Sequence, residues 1–190
     1  MGGSRGVALQ LHKSLPLTVT RVHEDPLGRY IEIEGQMEAK QYNLISCYIP
    51  SNLLQATCAA IGSLLASLPA GFTLLGGDFN AVLDLLWDIT AEPSDVRRTR
   101  STDLKTWANS WKLYDIWKVL HPHARAYTHR STTHHTEARI DLVWFPATDV
   151  LNLRSVRILP RGISDHARCS RTGMLSFRHI DQLGGSTRGN

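Results

Sequence analysis

A chain of 190 residues, 42% hydrophobic and 20% charged, carries enough apolar material for one globular core and lacks the bias of a disordered or fibrous protein. Its net charge of +4 and pI near 9.1 favour an acidic partner such as nucleic acid, but only mildly. Three cysteines, Cys47, Cys58 and Cys169, form no Cys-x-x-Cys and no paired framework, which excludes a disulfide scaffold and fits buried thiols in a reducing compartment.

In chain order, residues 6–11 and 17–22 read as strands, and Asp25-Pro26-Leu27-Gly28 as a turn. Residues 29–34 alternate polar and apolar, as a half-buried strand should, and 42–49 form a fourth strand ended by Pro50. Leu54, Cys58, Ile61, Leu65 and Leu68 recur at helical spacing, predicting an amphipathic helix over 52–68. Residues 51–77 carry no charge, yet Pro69-Ala70-Gly71 interrupts them and polar residues recur. A helix, a turn and a buried strand over 71–76 account for this run better than a membrane span does. The start, Met1-Gly2-Gly3-Ser4-Arg5, has no apolar signal region, and Gly2 lacks the Ser or Thr of a myristoylation site.

Residues 91–100 read as polar and irregular, with Arg97, Arg98 and Arg100 clustered. Leu104, Trp107 and Trp111 line one face of a helix that Thr102 could cap. A long loop over 121–137 leads to an apolar strand, Arg139-Ile140-Asp141-Leu142-Val143-Trp144-Phe145, and residues 154–159 form another. No repeat or linker divides the chain, so residues 1–183 form one domain, with 184–190 a disordered tail.

Gly77-Asp78-Phe79-Asn80 ends the uncharged run. A carboxylate and a carboxamide two residues apart at a strand end lie on one side of the backbone, and the glycines before them allow close approach. Such a pair suits phosphoryl chemistry, the Asp handling a proton or metal-bound water and the Asn donating to a phosphate oxygen. By itself Gly-Asp is equally a strand-to-turn punctuation mark. Asp141 inside its apolar strand needs a partner, for which Arg139 is one option. Ser164-Asp165-His166 adds an adjacent acid and imidazole that alone would be a surface turn.

As an ordered set, and together with Tyr48-Ile49-Pro50-Ser51-Asn52, these segments resemble the endonuclease/exonuclease/phosphatase superfamily, the DNase I-like fold. The resemblance implies an α+β architecture of two packed, mainly antiparallel sheets flanked by helices, a four-layer sandwich. It also implies Mg²⁺, with Mn²⁺ as a substitute. Carried over by motif, Asp78 would move the proton of the attacking water or leaving group and Asn80 would orient a phosphate oxygen. Asp141 would hold the imidazole of His166, His166 would face the scissile phosphate, and Asp165 would lie beside the metal. Tyr48 would contact the phosphate or steady the site, where the bland reading is a core aromatic.

Further along, Tyr114-Asp115-Ile116-Trp117, His121-Pro122 and Tyr127-Thr128 are similar to the stretch that precedes the Arg-Ile-Asp strand in LINE-type retrotransposon endonucleases. There the Thr lies near DNA, so Thr128 joins Asn52, Arg97 and Arg98 as candidate DNA contacts. The bland reading of the arginines is an exposed face. His121, His123, His129, His134 and His135 crowd one loop, but their spacing matches no zinc pattern.

Members of that superfamily carry an Asn in the first strand and a metal-binding Glu on the next, both before the segment resembled by Arg5-Gly6-Val7-Ala8. The chain is therefore expected to lack the first strands and a helix of the fold, together with the principal Mg²⁺ ligand, and to have reduced activity alone. The leading expectation is a metal-dependent DNA endonuclease domain of retrotransposon type, with RNA as a lesser substrate option. It would be intracellular, nuclear if it acts on chromosomal DNA, and away from membranes. The alternatives are a phosphatase of the same superfamily or an inactive remnant that binds nucleic acid.

Overall fold

A computed structural model describes residues 5–148, 157–159, 168–171 and 175–181. Its larger sheet has six strands in the order β2 (Thr18–Glu24), β3 (Tyr30–Met37), β4 (Lys40–Tyr48), β5 (Phe72–Asp78), β9 (Asp141–Pro146) and β6 (Leu113–Asp115). All neighbours are antiparallel except β4 and β5, which helix α1 (Leu54–Ser67) connects as a parallel pair. A four-stranded antiparallel sheet has the order β1 (Arg5–Leu11), β12 (Leu175–Asp181), β11 (Arg168–Arg171) and β10 (Arg157–Leu159).

Alternation along the central strands assigns the two faces of the larger sheet. Ile45, Cys47, Leu75, Leu142 and Trp144 pack against α1 and α2 (Asp95–Ser110) in one apolar cluster. Leu44, Leu74, Val143 and Phe145 form the other face, with Leu9 and Leu11 of β1 and Ile158 of β10 packed against them. Because β4, β5 and β9 are covered on both sides, they read as near-continuous apolar runs. On α1, the buried residues Leu54, Thr57, Cys58, Ile61 and Leu64 make the helical stripe, which Pro69 follows.

Two expectations from the pattern change. Helix α2 begins at Asp95, with Ser94 as N-cap and its Oγ accepting from Arg97 N–H, not at the Thr102 position. Its first turns are polar because they face solvent, so no apolar period announces them. The 121–137 loop contains a hairpin, β7 (His129–Ser131) with β8 (Thr136–Ala138), and is preceded by the short helix α3 (Ile116–Leu120). The 184–190 tail lies outside the described residues. No helix among the described residues is long and apolar enough to cross a membrane.

Candidate active site

Three strands deliver three polar side chains to one register line. Tyr48 ends β4 and is the parallel partner of Asp78 at the end of β5, while Asp78 is the antiparallel partner of Asp141 at the start of β9. Cross-strand partners project to the same face, about 5 Å apart at Cβ. Alternation puts all three on the face turned toward the smaller sheet, the side where Ser46 Oγ donates to Ala8 O at 3.2 Å. Tyr48, Asp78 and Asp141 are 7, 2 and 9% exposed, so the carboxylates are desolvated and close together.

Local backbone chemistry fixes the motif. Gly77 has φ +147°, and a Cβ there would lie 1.8 Å from the Cys47 carbonyl oxygen, so only glycine fits between β4 and Asp78. The chain then turns sharply: Asp78 Oδ1 accepts from Asn80 N–H at 2.8 Å, and Asn80 adopts φ +47°. Asn80 Nδ2 donates to Ile49 O at 3.0 Å and to Asp78 Oδ2 at 3.3 Å. Both amide hydrogens are thus engaged within the site, and the amide also offers Oδ1, an acceptor. Phe79 N–H donates to Ile140 O and Ile49 N–H to Asp78 O, locking the turn to β9 and β4.

Thr128, a candidate DNA contact by resemblance, is fully buried. Its Oγ1 accepts from Ile140 N–H at 3.1 Å and Asp141 N–H at 3.0 Å, so it sets the entry of β9 and hence the position of Asp141. Arg139 does not serve Asp141 either. Its Nε and Nη2 donate to Asp88 at 3.0 and 2.9 Å, and Nη2 lies 2.7 Å from Asp115 Oδ2, outside hydrogen-bond geometry. Lys118 Nζ stands 3.3 Å from Asp88, making a buried network that ties the loop after Asn80 to β9 and α3. Burial holds the Asp115 carboxyl above its ordinary range, against the pull of Arg139.

The remaining sequence candidates divide. Asn52 is exposed just beyond β4, and Arg98 is exposed on α2. Arg97 borders, with Asn80, a cleft of about 460 Å³, and its Nη1 donates to Glu92 O at 2.9 Å. Asp165 and His166 lie outside the described residues. Arg100, which the sequence offered with Arg97 and Arg98 either as a contact to a nucleic-acid backbone or as an exposed face, donates Nη2 to Asn80 O and lines the same cleft. Cys47, behind Asp78, has its thiol pushed well up by burial, which makes it inert.

Among solved structures, the fold is similar to the AP endonuclease of Leishmania major (TM-score 0.62, 13% identity, covering 83% of this chain and 56% of that one). It is also similar to the endonuclease domain of TRAS1, a telomere-specific non-LTR retrotransposon (TM-score 0.63, 14% identity, 95 and 82% covered). A third similar structure is a 3' phosphatase from Neisseria bound to product DNA hairpin (TM-score 0.57, 17% identity, 86 and 72% covered). The chain thus spans little more than half the length of the Leishmania enzyme and most of the retrotransposon domain. These likenesses show the DNase I-like fold. Residues 42–169, which include most of β4, all of β5 and β9 and every described site residue named above, match the family described as endonuclease-reverse transcriptase. With most of its length inside that match, the chain belongs to the endonuclease-reverse transcriptase family.

Proposed function

We propose that this chain is a phosphodiester-hydrolysing domain of LINE-retrotransposon type that nicks DNA with the help of Mg²⁺. The observation that carries the reading is the shared register line of Tyr48, Asp78 and Asp141, with Asn80 bonded to both oxygens of Asp78. Hydrolysis needs a positioned water, a group to take its proton and charge compensation at the phosphate. Asp78, desolvated and held by Asn80, takes the proton of the attacking water or supplies one to the leaving oxygen. Asn80 Oδ1 accepts from the water and orients it. Tyr48 steadies the phosphate. By family resemblance, Asp141, whose N–H is held by Thr128, would hold the imidazole of His166, and Asp165 would serve the ion.

Mg²⁺ takes hard oxygen donors, one or two carboxylates plus waters and substrate phosphates. Asp78, Asp141 and Asn80 Oδ1 are donors of that kind at one end of the sheet, so the chemistry of the set fits the ion. Among the described residues no group of three or more His, Cys, Asp or Glu is placed to hold a metal ion. When bound, the ion neutralises charge on the phosphoryl oxygens.

Nicking of supercoiled plasmid in Mg²⁺, with Asp78→Ala and His166→Ala beside wild type, tests the reading. Nicking lost in both variants supports it; no nicking by folded wild type rejects it. The 3' phosphatase likeness motivates one further arm, a 3'-phosphorylated oligonucleotide, whose dephosphorylation without nicking would favour a phosphatase.

A further inference from the structure

Arginine has two hydrogen-bonding edges, and the edge shared by Nε and Nη2 matches a carboxylate or phosphate bidentately. Two arginines, the partly buried Arg29 and the buried Arg139, use that edge completely. Arg29 gives Nε and Nη2 to Asp25 at 2.7 and 2.8 Å, and Arg139 gives them to Asp88. Arg100 uses its edge only by half. Nη2 donates to the neutral carbonyl of Asn80, while Nε is buried without a hydrogen-bond partner. Burying a cationic donor with no acceptor is costly, and the site beside it is where an anion would be handled.

The position is specific. Arg100 reaches from α2 to the carbonyl of the very residue whose backbone and amide groups bind Asp78. Arg98 is exposed, and Arg97, on the same cleft, gives Nη1 to Glu92 O; neither of them reaches the Asn80 carbonyl as Arg100 does. Burial lowers the pKa of Arg100, while the charge of Asp78 raises it, placing the two groups within one electrostatic neighbourhood. A phosphodiester approaching Asp78 and Asp141 meets two acidic residues, and a nearby fixed cation offsets their repulsion.

We infer that Arg100 is a phosphate ligand of this site: its Nε–H, the half of the edge left without an acceptor, donates to a non-bridging oxygen of the diester whose bond Asp78 serves. The assignment rests on the phosphodiester reading above and adds a protein cation to it. Arg100 keeps its hold on Asn80 O through Nη2, so the same side chain braces the left-handed turn and meets the substrate.

The Nε–H signal of Arg100 in ¹H–¹⁵N spectra, assigned by its loss in Arg100→Lys, reports directly on that edge. With ionic strength held by chloride, dimethyl phosphate is expected to shift it saturably, while the Nε–H of Arg139, already paired, stays still. A second arm measures binding of a duplex oligonucleotide in EDTA. Arg100→Lys and Arg100→Met are expected to weaken it about tenfold, and Arg100→Met to reduce the salt slope by about 0.9, one phosphate's worth. No shift with dimethyl phosphate, or unchanged duplex affinity in both variants, overturns the assignment. A saturable shift in a protein that never nicks plasmid would leave the phosphate contact standing and reject the nuclease reading alone.

Discussion

Thr128→Val isolates the hydroxyl that seats β9. The substitution preserves shape and removes the acceptor of Ile140 N–H and Asp141 N–H, at 3.1 and 3.0 Å, in surroundings where Thr128 is 0% exposed. Neither amide can turn to water, because Ile140 and Asp141 are each 9% exposed. Each orphaned buried donor costs about 1–3 kcal/mol, and the valine recovers part of that by not burying a hydroxyl, leaving a net loss of about 2–4 kcal/mol. Thr128→Ser keeps the oxygen and loses one methyl, a cost of about 1 kcal/mol. Urea unfolding followed by tryptophan fluorescence measures both, with an unchanged m-value confirming comparable end states. A valine variant within about 1 kcal/mol of wild type, or a serine variant less stable than the valine one, would refute the argument that the hydroxyl, not the side-chain volume, holds Asp141 in place.

Three other perturbations test separate parts of the structure. Gly77→Ala must move the Cys47 carbonyl or abandon φ +147°, and since both are backbone, a loss above about 4 kcal/mol is expected, seen as insoluble or unfolded protein; a well-folded alanine variant would contradict the close approach. Arg139→Met leaves Asp88 and Asp115 buried without their cation and should cost about 3–5 kcal/mol, softened where Lys118 compensates Asp88; combining it with Asp115→Asn should be clearly less than additive in a double-mutant cycle. Glu32 is fully buried with neither carboxyl oxygen hydrogen-bonded, and burial, then the charge of Glu34, raises its pKa. The folded state therefore binds this proton more tightly than the unfolded state. Its contribution is intact below the ordinary glutamate range near about 4.3 and is lost as pH rises toward the folded value. Glu32→Gln should accordingly gain on wild type in stability as pH climbs from acid to neutral, and melts showing a constant difference would remove burial as the cause.

The sequence alone determined the strand that ends in Gly77-Asp78-Phe79-Asn80, the helix over 52–68 and the strand carrying Asp141, because each depends on local patterning: an uncharged run, a 3.6-residue period, an apolar stretch around one acid. Family resemblance, not periodicity, supplied the two-sheet architecture. Helix α2's start and the β7–β8 hairpin escaped pattern reading because solvent-facing turns and three-residue strands leave no apolar period. What only the tertiary structure decided is which side chains meet. Tyr48, Asp78 and Asp141 share a line because β4 and β5 pair in parallel and β9 pairs antiparallel to β5, a register that no single strand encodes. Thr128 turned inward, Arg139 found Asp88 across 51 positions, and Arg100 reached Asn80 across 20, since buried polar groups take whichever partner the packed chain brings within hydrogen-bond reach.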